Sequence, residues 1–373
     1  MLKNILILYT NYGTGHHIAA KGIEEYIKNN YPKYNVVVFD PLSYSRPLIN
    51  KLFAKTGQIV ATRFRKFRRI LYNKQMYQNY LKTPWYFNIF TKLFWTKKLK
   101  NKLTSYNPDV IISTQVGPTG LITSHKENFN AKLIAVYTDY GVHRMYTITH
   151  ELIDIYCVPD TKVKDKMIDL GINKNKIKVT GIPVRSQILT KDDKCSKEEI
   201  VRKYKLLKNK PIFLFICGGG LGYDNAFKYF KELLRSDYQF SYLFISGSNK
   251  KLFQKAEKMS HKYNKKGKVL GYVKNIGELI MNSDVVLGKP GGIVTSECLN
   301  LGTPICAIEP IPGQEDHNTA FILDNQFGFY ITNISDFQQF LQKLKDKEII
   351  LEDYKKNINK KFSKFSFLNI EKI

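Results

Sequence analysis

Short apolar runs alternate with helix-length amphipathic stretches almost from end to end of this chain. That alternation constrains the fold more than any other feature. It predicts parallel sheets with crossover helices, because two parallel strands cannot be joined by a tight turn. The expected strands of the first half are Ile5–Tyr9, Val36–Phe39, Val110–Ser113, Leu133–Thr138, Ile155–Val158 and Ile177–Thr180. Those of the second half are Ile212–Cys217, Tyr242–Ser246, Val269–Tyr272, Val285–Leu287, Ile305–Ile308 and Gly328–Ile331. Between the halves, Thr190 to Lys210 is charged and lacks strand character. The chain therefore reads as α/β, with two Rossmann-like doubly wound domains facing across a cleft and ligands at the carboxyl ends of the strands. The expected boundaries are a domain over 1–190, a linker over 191–210, a second domain over 211–335, and helices over 336–373. No internal repeat or low-complexity tail is visible.

At 373 residues, 43% of them apolar, each half is long enough for its own core. Five cysteines, at 157, 195, 217, 298 and 306, form no CxxC pair. Their odd number and scatter point to free thiols rather than a disulfide frame or a zinc site. The opening MLKNILILYT is too short an apolar run for a signal peptide, and no window approaches the length needed to span a bilayer.

The formal net charge is +27, and its distribution is uneven. Lysine enrichment from an AT-rich genome explains part of it. Yet residues 41–108 hold 15 Lys or Arg and no Asp or Glu, interleaved with aromatics that include both tryptophans, Trp85 and Trp95. This block interrupts the strand rhythm as two or three basic, aromatic helices. Cations for anionic headgroups beside Trp, Tyr and Phe at headgroup depth are the composition of an interfacial segment. Arg63, Arg65, Lys66, Arg68 and Arg69, with Trp85 and Trp95, are its expected membrane contacts, at the cytoplasmic face.

Three glycine-bearing loops follow strands. Asn11 to His17 follows the first and opens a helix. A dinucleotide fingerprint fails there, since the third glycine position is Ile18 and the only acid near the end of strand two is Asp40. A histidine at a helix start beside Gly13 and Gly15 suits a general base, because the positive helix end favours the neutral ring. His16 and His17 both qualify by position. Cys217 to Gly222 carries four glycines, so a ligand can approach Gly219 and Gly220 closely. Pro290-Gly291-Gly292 sits at a strand-to-helix turn, where backbone N–H groups favour anionic oxygens. Glu297 falls about one turn inside that helix, placed to accept both hydroxyls of a ribose, and Gln314 and Glu315 in the next loop suit sugar hydroxyls. Asp139, at a strand end, either caps a helix or serves the site, by orienting His16 or holding an acceptor hydroxyl. No DxD triplet is present, so no metal and no other cofactor is expected.

Taken together, Asn11–His16, Tyr137-Thr138-Asp139-Tyr140 with His143, Val179–Arg185 (VTGIPVR) and residues 289–318 resemble, in order, the motifs of the monogalactosyldiacylglycerol synthase and processive diacylglycerol glucosyltransferase family. The resemblance runs through almost the whole chain. It implies a GT-B fold and an inverting, metal-independent transfer of glucose or galactose from UDP to diacylglycerol at an anionic membrane surface. It places the base at His16 and leaves His17 to packing. Donor contacts fall on Gly15, Val273, Gly291, Gly292, Thr295, Glu297, Gln314, Glu315 and Asn318, with Val273 at the uracil edge. It also implies that the last helices brace the first domain. A peptidoglycan lipid precursor is the alternative acceptor. Nucleic-acid binding, prompted by the basic aromatic block, leaves the glycine loops and Glu297 without a purpose.

Overall fold

The computed structural model describes residues 3–11, 14–44, 85–142, 150–189, 195–217, 226–311, 313 and 315–367. The chain forms two compact units. The first is Met1–Ser186, Pro312–Gln314 and Phe365–Ile373; the second is Gln187–Ile311 and Glu315–Lys364.

In the first unit, β1 (Asn4–Leu8), β2 (Asn35–Phe39), β3 (Val110–Ser113), β4 (Lys132–Val136), β5 (Ile155–Val158) and β6 (Ile177–Val179) make a parallel sheet in the order β2-β1-β3-β4-β5-β6. Its inner strands are nearly continuous apolar runs because helices cover both faces, whereas edge strand β6 exposes Lys178 and Val179. Ile5, Ile7, Ile112 and Val136 face one layer, while Leu6, Leu8, Ile111 and Leu133 face the other. The helices are α1 (Thr14–Asn30), α2 (Trp85–Phe94), α3 (Lys97–Ser105), α4 (Val116–Thr123) and α5 (Thr161–Asp169). Thr96 caps α3 by accepting from the Leu99 N–H at 3.2 Å, and Asp160 caps α5 by accepting from Val163 at 2.7 Å. Residues 365–367 join this unit: Phe365 and Phe367 are buried against it, and the Ser366 N–H donates to the Thr180 carbonyl at 3.0 Å.

In the second unit, β7 (Ile212–Ile216), β8 (Ser241–Ile245), β9 (Gly267–Leu270), β10 (Val285–Gly288), β11 (Ile305–Ile308) and β12 (Gly328–Ile331) form a parallel sheet ordered β12-β11-β10-β7-β8-β9. Its helices are α6 (Lys197–Tyr204), α7 (Ala226–Arg235), α8 (Lys250–Tyr263), α9 (Ile276–Met281), α10 (Gly292–Asn300), α11 (Asp316–Asp324), α12 (Ile334–Lys345) and α13 (Leu351–Lys361). All twelve expected strands are present, with ends shifted by a residue or two.

Two boundaries differ from expectation. The supposed linker contains α6, whose Ile200 is fully buried in the second unit, as is most of Leu206. Helices α12 and α13 also belong to this unit, burying Phe337, Phe340, Leu341 and Ile358 in its core. A partly buried Asp284 ties these pieces down. It receives Lys197 of α6 at 2.9 Å, Lys355 of α13 at 2.8 Å and the Ile212 N–H at 2.8 Å. Burial alone would raise its pKa, but the two lysines hold it below the usual carboxylate range. Of the expected brace over 336–373, the part found in the first unit is its end, from Phe365.

Candidate active site

In the first unit the strand order reverses between β1 and β3, which makes their carboxyl ends a switch point where ligands bind in doubly wound sheets. His16 stands there as the third residue of α1. Its Nδ1 lies 2.8 Å from the Thr114 carbonyl, just past β3, and 3.1 Å from the Thr138 hydroxyl, just past β4. The Thr114 hydroxyl in turn donates to the His16 carbonyl at 3.0 Å. A carbonyl can only accept, so Nδ1 carries the proton and the neutral ring keeps its lone pair on Nε2. The ring is half-buried by area, yet desolvation by the surrounding atoms dominates and lowers its pKa to about 4, against a smaller upward pull from Thr114.

Thr114 and Thr138 thus orient the ring through Nδ1. Asp139 itself lies half-buried at the bend after β4. Nothing in the sequence singled out Thr114, because its contribution is a backbone oxygen. His17 stacks on Tyr9 with ring centroids 4.6 Å apart, which is a packing role. Asp40 accepts from Asn11 Nδ2 at 2.9 Å and from the Leu42 N–H at 3.0 Å, so it anchors the first loop. Gly15 is the second residue of α1.

In the second unit the switch point lies between β7 and β10. These strands approach closely at Gly288, where a Cβ would stand 2.9 Å from the Ile216 carbonyl oxygen. Lys289 and Pro290 follow, and Gly291 caps α10 with no side-chain hydrogen bond to its N-terminus. The first N–H groups of α10 therefore keep the character of an anion site.

The turn is latched to the loop before α11. Glu315, almost fully buried, takes Lys289 Nζ on Oε1 at 3.0 Å and the Ile311 N–H on Oε2 at 2.6 Å. Asn318 Nδ2 donates to the Pro290 carbonyl at 2.9 Å. Glu315 and Asn318, both expected at the donor, thus also hold the Pro-Gly-Gly turn in place. Thr295 is fully buried, and its hydroxyl has no hydrogen-bond partner among the described residues. Glu297, further along α10, is also buried. Val273 is half-buried against the core after β9.

Sequence reasoning passed over Glu309. It directly follows β11 with φ of +45°, a left-handed backbone that a non-glycine residue adopts only where its surroundings enforce it. Its carboxylate pairs with Lys228 and accepts from the Tyr229 hydroxyl at 3.5 Å. Gly219, Gly220, Gln314, His143 and the cluster Arg63, Arg65, Lys66, Arg68 and Arg69 lie outside the described residues. Trp85 starts α2. Trp95 is half-buried, stacked on His125 at 4.0 Å and set edge-on to Phe129. Among the described residues no group of three His, Cys, Asp or Glu could hold a metal ion, and no helix is long and apolar enough to cross a membrane.

Comparison with known proteins places this geometry. Residues 16–184 match the family model for monogalactosyldiacylglycerol (MGDG) synthase, and residues 196–361 match that for glycosyl transferases group 1. Among solved structures, MurG of Acinetobacter baumannii superposes with a TM-score of 0.60 at 10% identity, over 96% of this chain and 95% of its own. Anabaena Alr3699/HepE in complex with UDP and glucose superposes with a TM-score of 0.57 at 11% identity, over 97% and 96%. At such low identity these likenesses establish the GT-B fold. Closer in sequence is the processive diacylglycerol beta-glucosyltransferase of Bacillus subtilis, 29% identical over 95% of this chain and 90% of its own length. That of Bacillus pumilus is 31% identical over the same shares, and on that match this chain belongs to the diacylglycerol glycosyltransferase family.

Proposed function

We propose that this protein transfers a hexose from UDP-sugar to the free hydroxyl of diacylglycerol, with inversion, giving a β-glycosyldiacylglycerol. The observation that carries the reading is His16, a neutral imidazole whose Nδ1 is fixed by Thr114 and Thr138 at a sheet switch point. With that tautomer set, Nε2 is the atom that takes the proton of the attacking alcohol. A positioned base of this kind contributes about 10²–10⁴-fold. Attack opposite the UDP leaving group converts an α-linked donor into a β-linked product.

The donor belongs to the second unit. The uncapped start of α10 supplies N–H groups for the diphosphate, and Lys289 and Asn318 hold that turn in shape. The Thr295 hydroxyl one turn along, without a partner among the described residues, supports a polar ligand nearby, since a buried orphan hydroxyl costs about 1–3 kcal/mol until it is satisfied. The amides then stabilise the leaving diphosphate without a metal. Glucose is favoured as the sugar because the relatives matched along nearly the whole chain are named as glucosyltransferases. The acceptor lives in a bilayer, so the enzyme works at the membrane surface, on its cytoplasmic side, with the acid-free block 41–108 as its first contact.

Purified protein mixed with diacylglycerol vesicles and a panel of UDP-sugars tests this directly. A β-glucosyl product formed from UDP-glucose is expected, and its rate of formation is expected to fall about 10²–10⁴-fold in His16→Ala. Transfer to a peptidoglycan lipid precursor but not to diacylglycerol would overturn the acceptor.

A further inference from the structure

Helix α8 divides cleanly into two stripes. Leu252 and Ala256 are buried, and Phe253, Met259 and Tyr263 pack against the core of the second unit. On the opposite side Lys251, Gln254, Lys255, Lys258, His261 and Lys262 are all exposed. Their spacing of three and four residues keeps them in one line, about 16 Å long at the rise of an α-helix. No acid stands in that line. Over residues 250–268 the chain has eight lysines and one acid, Glu257. Lys266 and Lys268, also exposed, extend the patch to β9, an edge strand of the sheet.

A lysine-rich composition alone does not account for this. Elsewhere in the second unit lysines find carboxylates: Lys197 and Lys355 reach Asp284, Lys289 reaches Glu315, Lys345 reaches Asp237 and Lys356 reaches Asp353. Among the described residues, Lys250, Lys251, Lys255, Lys258, Lys262, Lys266 and Lys268 pair with no carboxylate. Several ammoniums are instead seated over aromatic rings. Lys255 lies 4.7 Å from the Phe227 centroid, Lys262 5.9 Å from Tyr263, and Lys265 5.6 Å from Phe240. Such contacts hold a cation at the surface without neutralising it.

We infer that the outer stripe of α8 is a second docking surface for an anionic lipid bilayer, separate from the basic block 41–108. The inference rests on the reading that the acceptor is a membrane lipid. A bilayer is then a large, flat, negatively charged partner that the enzyme must meet, and a straight line of lysines complements it. The apolar side of α8 is spent on the core, so this contact is electrostatic and lies on the headgroups without insertion. Attraction of that kind is screened within about 10 Å at 0.1 M salt.

The test uses the full chain with Lys251, Lys255, Lys258 and Lys262 replaced together by Gln. All four are exposed, and glutamine keeps helix propensity. Affinity for vesicles containing phosphatidylglycerol should fall about tenfold or more, given the usual contribution of each surface lysine, and its salt dependence should flatten. The matching four-Arg variant should bind like the wild type. Transfer to diacylglycerol in neutral detergent micelles should be unchanged by either set. Undiminished vesicle affinity in the Gln variant overturns the inference, as does a loss confined to binding of a single-stranded oligonucleotide. Should the wild type transfer no sugar to diacylglycerol in micelles, the proposed function fails instead, whatever the vesicle result.

Discussion

At the scale of single residues, the chemistry turns on which groups are neutral and which are committed. Desolvation lowers His16 to about 4 while Thr114 pulls weakly the other way. The sign follows from the ordinary value of 6.5 in the unfolded chain. As pH falls from 6.5 toward 4, the unfolded state takes a proton that the folded ring refuses, so stability declines across that window and is unaffected above it. The acid limb of kcat/KM should therefore centre near pH 4 to 5, below the pKa of a solvated histidine, and the urea midpoint of His16→Ala should lose part of its slope over the same range. An acid limb at 6.5 would mean that His16 is solvated in the working enzyme. The donor side carries a separate expectation. Glu297→Ala should weaken UDP by roughly tenfold to a hundredfold, on the scale of charge-assisted hydrogen bonds. Gln314→Ala should spare UDP and weaken UDP-sugar alone. Titrating both ligands against each variant separates them, and equal losses for Gln314→Ala would move sugar reading elsewhere. A candidate base in the first loop was legible in the sequence, but position left His16 and His17 level and the family resemblance chose between them. Thr114 was not legible, because any residue type carries a carbonyl.

At the scale of elements, strands were the most readable feature, since a strand covered on both faces must be apolar throughout. Helix α6 was hidden for the opposite reason. It buries a single stripe, chiefly Ile200, and its charged residues masked a capping box in which Ser196 and Glu199 each take the other's backbone N–H. Roles within the donor loops were also illegible, because Glu315 is as suited to gripping a sugar as to latching a turn. Its contacts with Lys289 and Ile311 show the latch, which the sequence did not. Helix α1 shows how packing sets the site. A Cβ on Gly22 would stand 2.2 Å from the Val184 carbonyl oxygen, a contact no side chain tolerates. Helix propensity alone would make Gly22→Ala stabilising by about 1 kcal/mol. Overpacking against backbone costs about 1–3 kcal/mol, so the clash should win. The variant is expected to melt lower and to lose kcat, because α1 carries His16. A higher melting temperature would show that the Val184 segment yields.

At the scale of the whole molecule, the chain runs through two sheets and then sends its last described residues back to the first unit. This return was expected, but its reach was not, because helical periodicity in residues 334–361 says nothing about which core the helices serve. The returning piece is small and tightly held. Phe365 and Phe367 are 7% and 5% exposed and meet Tyr26 of α1 edge-on, at 6.4 and 6.0 Å. The Ser366 N–H bonds the Thr180 carbonyl between them. Tyr26 lies on the helix that holds His16, so residues 365–367 buttress the helix of the proposed base. Truncating a buried Phe to Ala costs about 3–5 kcal/mol. The double change Phe365→Ala with Phe367→Ala should therefore destabilise the first unit and leave the second, where neither side chain packs, near its original stability. Calorimetry should show one transition moving down while another stays, with activity lost and UDP affinity kept. Loss of UDP affinity in step with activity would mean that the two units unfold as one.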